Sequence, residues 1–183
     1  MYEMDSMKAY LYIVLVLLLV ACQPPNNPSK PSGVLQMDSV YTQADFRAYG
    51  DYYNSNHQVY AIDLLSDGLE YDSVWHISGT GCNLFLSDVF VHKDSVTRLP
   101  AGVYQMDSLA KEMCFLRGMY FEGNVTGTYL LTIEEDKIER ILLFTAGIMT
   151  IDYDDEDVVI DFELYTADSV RYHGMYQGTA MYR

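Results

Sequence analysis

Beyond residue 33 the chain alternates apolar and polar positions with a period of two. The clearest segments place the following residues on one face: Tyr60, Ile62 and Leu64; Tyr129, Leu131 and Ile133; and Val158, Ile160, Phe162 and Leu164. Alternation of this kind predicts β-strands that bury one face. We expect the four residues of the last segment to be buried together in a core.

Turn-forming residues separate these segments at short intervals, as at residues 54–56, 66–68, 79–81 and 135–137. Only residues 107–113 have a helical pattern, and it lasts one or two turns. Strands without intervening helices predict an antiparallel meander that closes into a barrel or folds into a β-sandwich. The sequence therefore predicts one all-β domain over residues 34–183, with one short helix at most.

A glycine stands two residues before a tyrosine at several places, including Gly102 and Tyr104, and Gly174 and Tyr176. On one strand face such a glycine leaves a gap that a ring from a neighbouring strand covers, and it lets the sheet bend. The pattern favours a strongly curved sheet.

Three segments together carry a resemblance to a known group of proteins. They are residues 49–53 (YGDYY), 99–104 (LPAGVY) and 174–178 (GMYQG). They resemble a group of Bacteroidales-type lipoproteins with an all-β body that is a calycin-like barrel or a sandwich. The resemblance covers most of residues 44–183 and implies the fold. It assigns no catalytic residue to any position of this chain.

The first part of the chain has the pattern of a bacterial lipoprotein signal. An apolar run of about ten residues, too short for a transmembrane helix, ends in Leu-Val-Ala-Cys at Cys22. We expect cleavage of residues 1–21 and attachment of lipid to Cys22, including a diacylglyceryl thioether. Residues 22–33 then form a flexible spacer rich in Pro, Asn and Ser. Translation starts at Met1 or at Met7.

This leader predicts a protein of the cell envelope that is held by a lipid anchor, with the outer membrane as the expected location. Its folded body faces either the periplasm or the cell surface. The formal net charge of −15 repels phosphate backbones, so we expect no nucleic-acid partner.

Two cysteines remain beside Cys22, and an exported compartment permits a disulfide between them. Cys82 is in phase with Leu84 and Leu86, and Cys114 with Leu116, so both thiols should face inward. One alternative is a Cys82–Cys114 disulfide, and the other is two buried free thiols. The sequence leaves both open.

Asp-Ser followed by an aliphatic residue recurs along the chain. The serines of these sites are Ser39, Ser73, Ser95, Ser108 and Ser169. The triplet is similar to the acceptor motif for O-glycosylation of exported proteins in the same bacterial group, which makes these serines candidate glycosylation sites. The alternative is ordinary turn chemistry, because Asp and Ser favour turns before a strand.

Residue types that bind metals or perform catalysis are dispersed. His57, His76, His92 and His173 have no metal-ligand spacing, and the acidic run at residues 152–157 lacks the glycine of a calcium loop. We interpret that run as an exposed hairpin tip. The sequence predicts no metal site, no cofactor and no enzymatic activity.

Two classes of function stay open. The first is a membrane-anchored, non-catalytic binding or accessory module, whose tyrosines engage a glycan, a small apolar ligand or a partner protein. The second is a structural or assembly protein of the envelope, similar to a fimbrillin. A closed barrel with a lined cavity favours the first class, and an open sheet with an exposed edge strand favours the second.

Overall fold

Fifteen β-strands and no helix make up the part of the chain that the computed structural model describes, residues 36–71, 76–95 and 97–183. These strands belong to one unit, Val34–Arg183. The strands are β1 (Gln36–Gly50), β2 (His57–Ser66), β3 (Leu69–Tyr71), β4 (Ile77–Gly79), β5 (Gly81–His92), β6 (Gly102–Asp107), β7 (Cys114–Leu116), β8 (Met119–Phe121), β9 (Asn124–Thr126), β10 (Thr128–Glu134), β11 (Lys137–Leu143), β12 (Ala146–Asp154), β13 (Asp157–Tyr165), β14 (Arg171–Gly178) and β15 (Met181–Tyr182).

Eight of these strands close into a barrel. Their order is β5-β2-β1-β14-β13-β12-β6-β7, and β7 pairs back with β5. The predicted all-β class is confirmed, and of the two alternatives the structure has the barrel. An eight-stranded barrel has an interior just wide enough for side chains to fill.

The barrel departs from a simple antiparallel meander at two places. β1 runs parallel to β14, and β6 runs parallel to β7. Parallel neighbours cannot be joined by a tight hairpin, so the chain must cross over before it pairs. Turn spacing along the sequence does not reveal such crossovers. The remaining strands β10 and β11 extend the sheet outward from β5, and β15 pairs with β1.

Aromatic and aliphatic side chains fill the barrel interior. The buried tyrosines are Tyr41, Tyr60, Tyr104, Tyr172 and Tyr176. The predicted quartet of Val158, Ile160, Phe162 and Leu164 is confirmed, because each of its side chains is at most 1% exposed and belongs to the same core. Inside this core the hydroxyl groups of Tyr41 and Tyr172 lie 2.6 Å apart, which satisfies both polar ends.

Gly174 confirms the predicted relation between glycine and a covering ring. A Cβ atom at this position would lie 2.4 Å from Cζ of Phe162, on the neighbouring strand β13. The Phe162 ring also lies 5.8 Å from the Tyr41 ring and 6.0 Å from the Tyr172 ring. The missing side chain at Gly174 therefore makes the space in which a central aromatic cluster packs.

The predicted helix at residues 107–113 is wrong. The segment is a loop in which the Asp107 carboxylate accepts hydrogen bonds from the backbone N–H groups of Ser108 and Leu109, at 2.6 and 3.1 Å, and from Lys111 Nζ at 2.7 Å. Met113 ends the loop with a φ of 58°. A short acidic side chain that binds its own following N–H groups competes with helix formation.

Strand β2 is buried on both faces, whereas alternation predicted one. Ile62 points into the barrel, while Asp63 and Leu65 on the outer face are at most 3% exposed. Leu65 packs with Leu69 of β3 and Ile133 of β10 in a second, smaller core. Strands outside the barrel thus cover part of its wall, and this cover creates the polar groove described below.

Phe162→Ala should lower the free energy of unfolding by about 3 to 5 kcal/mol, because it removes a fully buried ring and leaves a cavity. Urea unfolding followed by circular dichroism measures the change. Met175→Ala on the outer face of β14, where the side chain is 40% exposed, is the matched control. A loss below about 1 kcal/mol for Phe162→Ala would place this ring outside the core.

Candidate functional site

A groove of about 470 Å³ opens on the outer wall of the barrel, over strands β1, β2, β5 and β10. This volume falls within the range of about 300 to 1,000 Å³ that is usual for small-ligand sites. Its residues are Asp45, Arg47, Asp63, Tyr71, His76, Ile77, Asn83, Phe85, Tyr129, Leu131, Ile133, Asp136, Ile138 and Arg183. One end of the groove is polar and the other is apolar.

The polar end is built on carboxylates that are withdrawn from water. Asp45 on β1 and Asp63 on β2 are direct cross-strand partners, and they are 1% and 3% exposed. Two carboxylates in this arrangement repel each other, so the pair requires positive charges or hydrogen-bond donors close by. Asn83 on β5 contributes through its Nδ2, which donates a hydrogen bond of 2.8 Å to Asp63 Oδ1.

Two arginines supply the neutralising charge. Arg47 Nη2 donates to Asp63, and Arg47 Nε lies 3.4 Å from Asp45 Oδ2. Arg183 Nε lies 3.0 Å from Asp45 Oδ1. Backbone hydrogen bonds of 2.9 Å with Phe46 and Ala48 hold Arg183 beside β1. The site is therefore a quartet of two buried carboxylates and two guanidinium groups, which we call the Asp–Arg quartet.

The exposed parts of the Asp–Arg quartet are cationic. The side chains of Arg47 and Arg183 are 35% and 26% exposed, whereas those of Asp45 and Asp63 are 1% and 5% exposed. A molecule at the polar end of the groove thus meets the guanidinium groups of the quartet before its carboxylates. Since guanidinium groups are planar donors with a fixed fork of N–H groups, they favour planar anionic or hydroxyl partners.

Burial dominates the electrostatics of the carboxylates. Desolvation raises the pKa of Asp45 although Arg183 and Arg47 act in the opposite direction. It also raises the pKa of Asp63, against hydrogen bonds from Asn83 and Tyr71 and the charge of Arg47. Placing these charges in the wall therefore costs free energy of folding. Buried groups with such shifts are concentrated at functional sites, which motivates the site hypothesis.

Aromatic rings line the groove beside the charges. The Phe85 and Tyr129 rings lie 5.3 Å apart on neighbouring strands. The guanidinium carbon of Arg47 lies 5.5 Å from the Phe85 ring centroid, and that of Arg183 lies 5.7 Å from the Tyr71 centroid. Both guanidinium groups are thus within the range of about 6 Å at which a cation is attracted to an aromatic ring. Burial raises the pKa of Tyr129 to about 12, so its hydroxyl group is neutral at physiological pH.

The far end of the groove is aliphatic. Leu131, Ile133, Ile77 and Ile138 line it, and the side chain of Ile138 is 58% exposed. Ile133 belongs to the second, smaller core, so this end rests on packed structure. The groove therefore offers aliphatic contact, flat aromatic faces and charged donors along one surface.

The structure does not bring the two candidate disulfide cysteines together. Both are free and half-buried. Cys114 pairs with Phe90 at one end of β5, and Cys82 lies eight residues earlier on that strand. At about 3.3 Å per residue they are about 26 Å apart along β5, far beyond the Cβ separation that a disulfide allows. Of the two alternatives, the structure has the free thiols, and Cys82 packs against the barrel core.

The candidate glycosylation serines have different surroundings. Ser108 and Ser169 are exposed on turns, and Ser95 is half-buried after β5. Ser39 lies within β1 and is half-buried, so turn chemistry does not apply there. Ser73 lies outside the described residues, as do Cys22 and the segments predicted as signal peptide and spacer. In the part of the chain that the structure describes, no helix is long and apolar enough to cross a bilayer.

The histidines fall on separate parts of the fold. His57 and His92 face each other across β2 and β5, His76 lines the groove, and His173 Nε2 lies 3.2 Å from Asp161. Over residues 36–71, 76–95 and 97–183 no three His, Cys, Asp or Glu side chains are grouped to hold a metal ion.

The acidic run at residues 152–157 is a hairpin tip, as predicted. Strand β12 ends at Asp154, β13 begins at Asp157, and Asp155 has a turn conformation with a φ of 56°. The four acidic side chains at positions 152, 154, 155 and 156 are exposed to water, whereas Tyr153 packs against the barrel core and Asp157 accepts a hydrogen bond of 3.1 Å from Thr179 Oγ1.

Sequence reasoning did not single out Asp45, Asp63 or Asn83. Alternation assigns Asp63 to a face in contact with water, because it follows Ile62 in a strand of period two. One signal was present: Asp63 is the only residue of the segment 59–65 that is not apolar. A single carboxylate in such a run indicates either an edge or a buried charge that a partner must neutralise.

The free energy of unfolding of the wild type, relative to that of Asp45→Asn, should fall as the pH rises above about 4. Because the folded pKa of Asp45 is raised, the folded protein binds a proton that the unfolded chain has released, and this advantage is lost as the pH passes the folded pKa. Urea unfolding at a series of pH values measures the difference. Asp155→Asn at the hairpin tip is the control, and a relative gain with rising pH would contradict the account.

Comparisons of this chain with protein-family models, with curated proteins and with solved structures find no match.

Proposed function

We propose that this protein is a membrane-anchored, non-catalytic binding module of the cell envelope, and that the groove over β1, β2, β5 and β10 is its binding site. The observation that carries the proposal is the Asp–Arg quartet beneath an open groove beside the Phe85 and Tyr129 rings. A barrel wall has no need of buried charges, and apolar side chains of similar volume would serve stability equally well or better.

Sugar rings are the ligand class that this surface fits best among those that the sequence left open. A sugar ring has an apolar face, which packs on aromatic rings, and a rim of hydroxyl groups, which exchange hydrogen bonds with planar polar groups. The groove combines Tyr129 and Phe85 with Arg47 and the amide of Asn83. A purely apolar ligand would remove water from the exposed part of the Arg47 guanidinium without offering hydrogen bonds in its place.

The barrel interior favours this outer site over a site at the barrel mouth. Five tyrosines and several phenylalanines fill the interior as a packed core. Their hydroxyl groups have internal partners, such as Tyr60 with the Ser95 carbonyl oxygen and Tyr104 with the Pro100 carbonyl oxygen. The interior tyrosines thus have a structural role in the core, whereas Tyr129 lines the open groove.

The edge strand argues against the assembly alternative. β11 ends the order of the main sheet, but its solvent-facing positions include Lys137, Glu139 and Arg140. Charges on an edge strand prevent pairing with another chain. A protein whose purpose is strand-to-strand assembly would instead present an apolar, uncharged edge.

Hydroxyl and carboxylate groups elsewhere on the barrel have structural partners. Ser87 Oγ donates to Asp88 and accepts the Gly127 N–H at 2.8 Å, and the Tyr53 hydroxyl donates to Asp88 Oδ1 at 2.5 Å. This cluster ties the loop after β1 and the start of β10 to β5. The Asp88 carboxylate accepts hydrogen bonds from the Tyr53 and Ser87 hydroxyl groups that connect these segments, and among the described residues it does not orient a histidine or another base beside Ser87.

Tyr129→Leu should weaken sugar binding by about tenfold or more, which is equivalent to about 1.4 kcal/mol, because it removes a flat ring and a hydroxyl group from the groove. The full chain in detergent, screened on a glycan array and then titrated by calorimetry with the best oligosaccharide, provides the measurement. Tyr120→Leu, on β8 and 63% exposed, is the matched control. Equal losses for both variants, or no sugar binding by the wild type, would contradict the proposed site.

Cys22→Ala should yield a chain that keeps residues 1–21 or is released from the membrane, because the anchor requires the Cys22 thiol. Membrane fractionation followed by intact-mass analysis of wild type and variant reports both results. Cys82→Ala, a cysteine inside the folded unit, serves as the control. Wild-type protein from native membranes that still carries residues 1–21 would contradict the anchor.

A further inference from the structure

We propose that the groove selects acidic sugars, with the sugar carboxylate held by the guanidinium groups of Arg47 and Arg183. The inference rests on the proposed function and names the class of sugar that the same site takes. It follows from three features of the groove: where its charge is exposed, how its donors are oriented, and what lies beside them.

The exposed charge of the Asp–Arg quartet is positive, while the exposed Asp136 carboxylate, which also lines the groove, accepts a hydrogen bond of 2.6 Å from the Gly79 N–H. The two arginines of the quartet are about one-third and one-quarter exposed, at 35% and 26%, while the carboxylates that neutralise them are buried beneath at 1% and 5%. A neutral sugar gains hydrogen bonds from these charged donors to its hydroxyl groups. A carboxylate adds the attraction of opposite charges and can accept two parallel hydrogen bonds from one guanidinium group.

The donors are oriented before a ligand arrives. Arg47 donates through Nη2 to Asp63, and its Nε lies 3.4 Å from Asp45 Oδ2, so these contacts do not use its Nη1 group. Its guanidinium carbon lies 5.5 Å from the Phe85 ring centroid, and that of Arg183 lies 5.7 Å from the Tyr71 ring centroid. Because ion pairs and rings already fix both side chains, a ligand loses little of its binding free energy to ordering them.

The rings lie where the body of an acidic sugar would extend. Phe85 is in contact with both the Arg47 guanidinium and the Tyr129 ring. A carboxylate at the arginines thus places the attached pyranose ring along the Phe85 and Tyr129 faces. One ligand then combines ring contact with an ion pair to the arginines, whereas a bare anion lacks the ring contact and a neutral sugar lacks the ion pair.

The net charge of the chain limits how much negative charge a ligand of the groove can carry. A formal charge of −15 repels a polyanion at long range. At physiological ionic strength this repulsion is screened beyond about 8 Å, so a single carboxylate in the groove responds mainly to the adjacent guanidinium groups. A short sugar with one carboxylate at the site fits this field, and a nucleic acid does not.

The test compares two tetrasaccharides of the same linkage that differ only at C6 of the terminal residue, which is glucose in one and glucuronic acid in the other, so that the acidic form carries a single carboxylate. Each is titrated by calorimetry into the full chain in detergent at low and at physiological salt. We expect the wild type to bind the glucuronic acid form at least about tenfold more tightly, and we expect added salt to reduce this preference, because exposed charges are screened.

Variants locate the preference. Arg183→Gln should reduce the ratio of acidic to neutral affinity by about tenfold, and Arg183→Lys should restore part of it. The double variant Arg47→Gln with Asp63→Asn removes one charge of each sign, so the net charge of the quartet does not change. It should also reduce the ratio of acidic to neutral affinity. Arg140→Gln on β11 is the control for loss of an exposed arginine.

The outcomes separate this inference from the proposed function. Equal affinity for the two tetrasaccharides, or a ratio that Arg183→Gln leaves unchanged, overturns the selection of acidic sugars and leaves the groove as a site for sugars in general. Absence of binding by both tetrasaccharides and by every sugar on the array overturns the proposed function as well. Tighter binding of inorganic phosphate than of the acidic tetrasaccharide also overturns the inference.

Discussion

The site depends on one constraint: strand β2 has no face in contact with bulk water. Its inner face packs in the barrel and its outer face lies beneath β3, β4 and the groove residues, so Asp63 is only 3% exposed. A carboxylate in such a position must be neutralised by its neighbours. Arg47, Asn83 and Tyr71 meet this requirement, and their positions create the polar end of the groove.

Closure of the barrel fixes where these neighbours lie. β1 pairs with β2 on one side and with β14 and β15 on the other, so Asp45 lies beside Asp63 while Arg183 is carried to the same place by β15. Residues 45, 63, 83 and 183 are distant in sequence and come together only through this sheet order. Burying the quartet lowers the stability of the fold, and the packed aromatic core on the opposite face of the same strands offsets this loss.

Much of the fold follows from local patterns, whereas the site does not. Period-two alternation identifies strands β2 and β13 and the buried Phe162, and the turn residues locate the hairpin after Asp154. Alternation reports which residues share a face but not what covers that face, so it assigned Asp63 to water. The helical pattern of residues 107–113 also gave a wrong prediction, because the Asp107 side chain binds the backbone N–H groups that follow it and a loop forms instead of a helix.

We expect ligand to bind at the Asp–Arg quartet and not at another aromatic surface, such as the exposed Tyr49, Tyr52 and Tyr53 at the end of the barrel. Nuclear magnetic resonance of the full chain with ¹⁵N-labelled arginine, asparagine and tyrosine distinguishes the two surfaces. Addition of the glucuronic acid tetrasaccharide should shift the Nε–H signals of Arg47 and Arg183 and the side-chain amide of Asn83. Shifts confined to the backbone signals of residues 49–56 would contradict this expectation.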